Sequence, residues 1–228
     1  MRRRFVWGWL SMGGLLLVAP LVFCQGAEHN YARWEKDIAA FEASDKTNPP
    51  PKGAILFIGS STIVRWKTLA QDFPDHRIIN RGFGGNHICD STHFAERMIF
   101  PYAPKAIFLR AGGNDINSGK SPEQVFGDFK EFVAKIRQKL PDTEIFFIGL
   151  APSVARWKNV EKEKSLNAMI EKFSKENDRV RYVDTYSMTL GPDGQPRPEL
   201  FVADQLHFNA EGYKLLIERV RPFLPKAP

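Results

Sequence analysis

The chain has 228 residues, of which 43% are hydrophobic and 25% charged, so it can bury one core and is most simply a single domain. Its formal net charge of +6 falls to about +3 if Arg2, Arg3 and Arg4 are removed with a leader, so the charge gives no reason to expect nucleic-acid binding. If Cys24 is removed with the leader as well, Cys89 is the only cysteine left, and no internal disulfide can form.

The N-terminus has the pattern of a secretory signal peptide, predicted over residues 1–27. A basic start at residues 1–4 precedes an apolar run at residues 5–23. Glycines and a proline interrupt that run, which favours cleavage near residues 24–27 over an uncleaved membrane anchor. Lipidation at Cys24 is a minor alternative, because the preceding Phe23 is larger than usual for a lipoprotein. We therefore expect an exported protein, periplasmic or secreted, with no stable membrane span.

The remaining chain alternates strand and helix patterns. Residues 28–52 predict an amphipathic helix and a proline-rich linker, and residues 53–228 predict the main domain. Short apolar runs predict five strands, at residues 55–59, 77–80, 105–110, 144–150 and 180–183. Helical patterns follow Ser61 and Ser121 and cover residues 160–177 and 211–223. Such alternation predicts an α/β fold, a three-layer α/β/α domain with a five-stranded parallel sheet.

Polar and glycine-rich blocks follow several of the predicted strands. Gly59-Ser60-Ser61 ends the first strand, residues 81–86 form a glycine-rich turn after the second, and residues 112–115 follow the third. The turn is not a dinucleotide fingerprint, because His87 stands where the last glycine of GxGxxG belongs. Ligands of parallel sheets collect at the carboxyl ends of the strands, so these blocks are expected to converge on one site.

A serine, an aspartate and a histidine complete a possible catalytic set. Asp204 and His207 lie three residues apart before the last helix, so the carboxylate can hold one imidazole nitrogen while the other faces Ser61. The backbone N–H groups of Ser61 and Gly85 and the side chain of Asn114 could stabilise the oxyanion. Taken singly, each residue is more simply a turn or helix-capping group. Their combination predicts a serine hydrolase.

With these blocks, the chain resembles the SGNH hydrolases, the GDSL-type lipases and acylhydrolases, over residues 53–224. Four blocks carry the resemblance: Gly59-Ser60-Ser61, residues 80–85, residues 112–115, and residues 204–207. It implies Ser61, Asp204 and His207 as catalytic residues, Gly85 and Asn114 as oxyanion donors, a flavodoxin-like sheet and no cofactor. The resemblance leans toward members of the family that are similar to platelet-activating-factor acetylhydrolase subunits and bacterial lysophospholipase/thioesterases.

Three positions bear on the detail of this resemblance. Ser60 and Asn86 stand where the family usually has aspartate, which affects local hydrogen bonding and substrate preference more than the chemistry. Ile63 stands where the nucleophile elbow of α/β-hydrolases has its second glycine, which argues against that fold.

Two other functions are possible. His87, Asp90 and His93 recur every third residue and could bind a metal in a metal-dependent hydrolase, although this spacing drifts around a helix. The fold could also serve as a non-catalytic binding module. For an esterase, the sequence leaves lysophospholipids, thioesters and O-acetylated carbohydrates open as substrates.

Overall fold

A computed structural model describes residues 29–226, and the predicted signal peptide, with its alternatives at Cys24, lies outside them. The chain divides by its contacts into residues 1–30 and 31–228, and every element described here belongs to the second unit. Its strands are β1 (Ile55–Gly59), β2 (Ile78–Gly82), β3 (Ala106–Arg110), β4 (Glu144–Ile148) and β5 (Val180–Val183). Its α-helices are α1 (Glu35–Thr47), α2 (Ser61–Arg65), α3 (Leu69–Asp72), α4 (Ile88–His93), α5 (Ala95–Met98), α6 (Gly113–Asn117), α7 (Pro122–Lys139), α8 (Val160–Glu176) and α9 (Ala210–Val220).

The five strands form one all-parallel sheet in the order β2-β1-β3-β4-β5. The predicted fold class is therefore confirmed, and β1 lies inside the sheet rather than at an edge. The helix predicted after Ser61 is shorter than its apolar pattern suggested: α2 ends at Arg65, and a separate short helix begins at Leu69. The helix predicted from Ser121 is confirmed, and Ser121 caps it by accepting a hydrogen bond from the backbone N–H of Gln124.

Alternate residues of β1 pack into two separate hydrophobic layers. Leu56 and Ile58 belong to the core on one face of the sheet, and Ile55 and Phe57 to the core on the other. All five residues of β1 are buried, as expected for a parallel strand covered by helices on both faces. This packing fixes the end of β1 and therefore the position of Ser61, which follows it.

The N-terminal helix α1 is bound to the body of the domain by charged groups. Arg97 donates to the carboxylates of Glu35 and Glu42, and Arg81 forms an ion pair with Asp45. Ile38 inserts fully into the core below them. Within residues 29–226, no helix is both long and apolar enough to cross a membrane.

Candidate active site

Ser61 stands at the carboxyl end of β1 because the backbones of β1 and β3 approach each other closely. The backbone N–H of Ser60 donates to the carbonyl of Arg110 at 2.9 Å. Gly59 has φ +142, and a Cβ there would lie 2.1 Å from the same carbonyl oxygen, so only glycine fits this turn. Ser61 then begins α2, and among the described residues no acceptor takes its backbone N–H.

The two serines differ in what their groups can do. Ser60 precedes α2 in the N-cap position, but its side chain makes no capping hydrogen bond, so the simple capping explanation does not hold for it. Its backbone N–H is used by β3, whereas the Ser61 hydroxyl lies 2.8 Å from Nε2 of His207. Ser61 is thus the serine in contact with the histidine.

Asp204, His207 and Ser61 form one continuous line of hydrogen bonds. Nδ1 of His207 lies 2.6 Å from Oδ2 of Asp204, and the other ring nitrogen faces Ser61. Oδ1 of Asp204 accepts from the backbone N–H groups of Leu206 and His207. The hydrogen bond from His207 and these two N–H groups lower the pKa of Asp204, which keeps it ionised next to the imidazole.

The loop that carries Asp204 and His207 is held at several points. Its carbonyls accept from neighbouring backbones, with Val202 N–H donating to the carbonyl of His207 and Ala155 N–H donating to that of Gln205. Asn209 follows and caps α9 by accepting from two backbone N–H groups of its first turn. Tyr213 in α9 donates to the carbonyl of Thr62, which ties this helix to α2. The histidine and the serine are therefore positioned against each other by α9.

The three predicted oxyanion donors are placed differently. Ser61 and Asn114 line one small cavity of about 50 Å³ together with His207. Gly85 is not among the residues that line it, but its turn is bound to Asn114, whose Nδ2 donates to the carbonyl of Asn86 at 3.0 Å. Gly85 has φ +77, a conformation that favours glycine.

Three charged residues that the sequence did not single out line the same cavity: Arg110, Arg156 and Glu163. Arg156 donates to Oδ1 of Asn114 at 2.9 Å, so both ends of that amide are held. Arg110 ends β3 and Glu163 lies on the buried face of α8. We call these three charged residues the cavity floor.

Burial sets the pKa values of this charged group. It raises the pKa of Glu163 to about 7, against a smaller opposite effect of Arg110 and Arg156. It also lowers the pKa of Arg110 to about 10, which leaves that guanidinium protonated at neutral pH.

The residues of the possible metal site have other contacts. The Asp90 carboxylate accepts from the backbone N–H of His87 at 2.7 Å, and the two residues form a capping box at the start of α4. His93 stacks on Tyr31 with ring centroids 3.9 Å apart. Within the described part of the chain, His87, Asp90 and His93 do not form a set of three converging ligand atoms.

Asp115, in the block with Asn114, has a structural position. It is fully buried, and its carboxylate accepts from the backbone N–H of Ile88 at 3.2 Å and lies 3.7 Å from Nζ of Lys120. Burial raises its pKa to about 6. Asp115 holds the start of α4 and does not line the cavity.

A parallel three-layer fold with a serine at a strand end, in line with a histidine and an aspartate from a loop, has the arrangement of a class of acyl-transfer hydrolases. The chain belongs to the GDSL-like Lipase/Acylhydrolase family, which matches residues 53–215. It is therefore an ester hydrolase, as the resemblance implied.

Solved structures of low sequence identity share this fold. A protein from Streptococcus pneumonia named for platelet activating factor has a TM-score of 0.76 at 21% identity, covering 85% of this chain and 94% of its own. A GDSL-like lipase from Bacteroides thetaiotaomicron has a TM-score of 0.67 at 20% identity, covering 85% and 96%. An acetylxylan esterase from Geobacillus stearothermophilus has a TM-score of 0.61 at 15% identity, covering 75% and 94%. No curated protein matches the chain.

Proposed function

We propose that this hydrolase is a serine esterase that cleaves short acyl esters through an acyl-enzyme on Ser61. The observation that carries the proposal is the line of hydrogen bonds from Asp204 through His207 to the Ser61 hydroxyl. Serine is a weak nucleophile until a positioned base takes its proton, and His207 is in position to do so.

In the first half of the reaction, Ser61 Oγ attacks the ester carbonyl carbon while Nε2 of His207 takes the hydroxyl proton. Asp204 accepts from Nδ1–H, fixes the tautomer and stabilises the imidazolium. The tetrahedral intermediate collapses, the C–O bond to the alcohol breaks, and His207 returns the proton to the departing alkoxide. Water then attacks the acyl-enzyme with the same base, releasing the carboxylic acid and the free serine.

The oxyanion would be stabilised by groups at helix and turn ends. The free N–H of Ser61 points from the first turn of α2, and Nδ2 of Asn114 has a second hydrogen besides the one donated to Asn86. The backbone N–H of Gly85 is the third donor that we propose, because Asn114 binds the adjacent residue of its turn.

Cavity size favours a short acyl group. About 50 Å³ beside Ser61 is too little for a long alkyl chain, and the charged side chains on its floor oppose apolar burial. The acetylxylan esterase with the same fold acts on an acetyl ester, which is consistent with a small acyl group here. A lysophospholipid with a long acyl chain is correspondingly disfavoured.

The test is to separate the two neighbouring serines. We expect Ser61→Ala to lower kcat for 4-nitrophenyl acetate by roughly 10⁴-fold or more, because the nucleophile is lost, and to abolish labelling by a fluorophosphonate. Ser60→Ala, the matched control, should turn over ester and be labelled. A label mapped to Ser60 by mass spectrometry, or comparable turnover by Ser61→Ala, would refute the assignment.

Acyl range is measured on the same protein with acetyl, butyryl and octanoyl esters of 4-nitrophenol. We expect kcat/KM to fall from acetyl to octanoyl. A higher kcat/KM for the octanoyl ester would contradict a short acyl group.

A further inference from the structure

Three charged residues line the cavity beside Ser61. Glu163 is buried and Arg110 is partly buried. Within the part of the chain that the structure describes, no hydrogen bond or ion pair within 4.0 Å joins the Glu163 carboxylate to Arg110 or Arg156. Nε of Arg110 is buried and has no hydrogen-bond partner among residues 29–226. Buried charged groups are normally paired, because desolvation without a partner is costly.

The three charged residues share one cavity. Three different elements supply them: Arg110 ends β3, Arg156 lies in the segment Val154–Asn159, and Glu163 lies on α8. Arg156 uses one guanidinium nitrogen on Asn114, which leaves other N–H donors unassigned. A bound group with oxygen acceptors would satisfy these donors.

The charge count indicates the sign of that group. Two guanidiniums face one carboxylate, so the floor carries a net charge of about +1, and more when Glu163 is protonated. Burial brings the pKa of Glu163 to about 7, so protonation is accessible near neutral pH. A single negative charge would neutralise the floor, and a planar carboxylate matches the fork of a guanidinium.

The order of the reaction indicates whether the acyl group or the alcohol of the substrate contacts the cavity floor. The alcohol must leave for solvent before water can attack, whereas the acyl group stays on Ser61 through both halves. A buried floor next to Ser61 therefore suits the acyl group.

We propose that the cavity floor formed by Arg110, Arg156 and Glu163 binds a carboxylate at the far end of a short acyl group, so that the preferred substrates are monoesters of short dicarboxylic acids. This inference rests on the proposed serine esterase function and names its substrate class.

The test compares two acyl groups of one length. The 4-nitrophenyl esters of glutaric acid and glutaramic acid differ only in a terminal carboxylate and a terminal amide, and spontaneous hydrolysis is subtracted. We expect kcat/KM of the unaltered protein to favour the carboxylate by roughly tenfold or more, as charge-assisted hydrogen bonds are stronger than neutral ones. Equal values for the two esters would overturn the proposal.

Variants of the charged residues then distinguish a loss of carboxylate binding from a general loss of activity. Arg110→Gln should bring the ratio of the two kcat/KM values close to one. Glu163→Gln, which removes the competing negative charge and keeps the shape, should raise the ratio. Arg65→Gln, an exposed arginine of α2 outside the cavity lining, is the matched control and should keep it. A ratio unchanged by both Arg110→Gln and Glu163→Gln would overturn the proposal.

A binding measurement without turnover distinguishes this proposal from the esterase assignment. Glutarate should bind to the Ser61→Ala protein in calorimetric titration. It should bind more weakly to the double variant that carries both Ser61→Ala and Arg110→Gln. Glutarate binding that depends on Arg110 supports the floor even if the nucleophile were misassigned. Hydrolysis of neutral esters without glutarate binding would refute the floor and leave the esterase function intact.

Discussion

Two carboxylates lie beside the same cavity in opposite electrostatic environments. Asp204 is in an exposed loop, and three hydrogen bonds to its oxygens lower its pKa. Glu163 is 4% exposed on α8, accepts no hydrogen bond from any described residue, and has its pKa raised to about 7 by burial. The difference indicates that hydrogen bonding and burial, rather than residue type, decide which carboxylate can hold a charge next to a reacting group.

This difference matches two different tasks. A carboxylate that orients His207 must stay ionised when the imidazole takes a proton, and Asp204 has the donors to remain so. A carboxylate near two arginines can change its charge when an anion arrives, and Glu163 has the pKa for that.

Among the variants that test this comparison, the largest effect is expected from Asp204→Asn. An amide in place of the carboxylate cannot stabilise the imidazolium and can favour the wrong tautomer of His207, so kcat should fall by roughly 10³–10⁴-fold. The measurement is steady-state turnover of 4-nitrophenyl acetate. Asp193→Asn is the matched control, because Asp193 is also an exposed loop aspartate that accepts a backbone N–H, from Gln195. Turnover of Asp204→Asn within a few-fold of the unaltered protein would remove Asp204 from the mechanism.

A smaller effect is expected from removing the side-chain amide of Asn114, which lines the same cavity as Ser61. Asn114→Ala should lower kcat by roughly 10²–10³-fold and change KM far less, because the donor acts on the oxyanion. Asn117→Ala is the control on the same helix, where the side chain accepts from Asn159 instead. If Asn114→Ala folds and turns over ester normally, Asn114 only holds the turn at Asn86.

The sequence predicted those parts of the molecule that local patterns determine. Alternation of strand and helix predicts the parallel sheet, and the carboxyl ends of parallel strands meet at one edge, which is why Ser61 and Asn114 could be placed together beforehand. Strand order could not be obtained in this way, since it depends on which strands pair across the whole domain.

The charged floor was not predicted because its residues arrive by tertiary packing. Arg156 lies at a kink in the short 3-10 segment Val154–Asn159, which is too short for a periodic pattern to indicate where a side chain points. Glu163 did carry a signal: it precedes Leu166 by three residues and Ile170 by seven, which places it on the buried stripe of α8.

The smallest effect, and the most direct test of burial at Glu163, is on stability. The unfolded chain loses the Glu163 proton near its ordinary value of 4.5, whereas the folded chain keeps it until about pH 7. Between these values the folded state binds more protons, so the free energy of unfolding falls as pH rises, by roughly 3 kcal/mol in total, and levels off above pH 7.

Replacing Glu163 by Gln removes the titrating proton and keeps the size of the side chain. Urea unfolding of Glu163→Gln between pH 4.5 and 8 should therefore show a flatter decline in the free energy of unfolding than the unaltered protein, with a remaining slope from Asp115, whose buried carboxyl has a pKa of about 6. Glu161→Gln changes an exposed glutamate of the same helix and should keep the original profile. Parallel profiles for Glu163→Gln and the unaltered protein would mean that folding does not change the pKa of Glu163, and the contrast with Asp204 would fail.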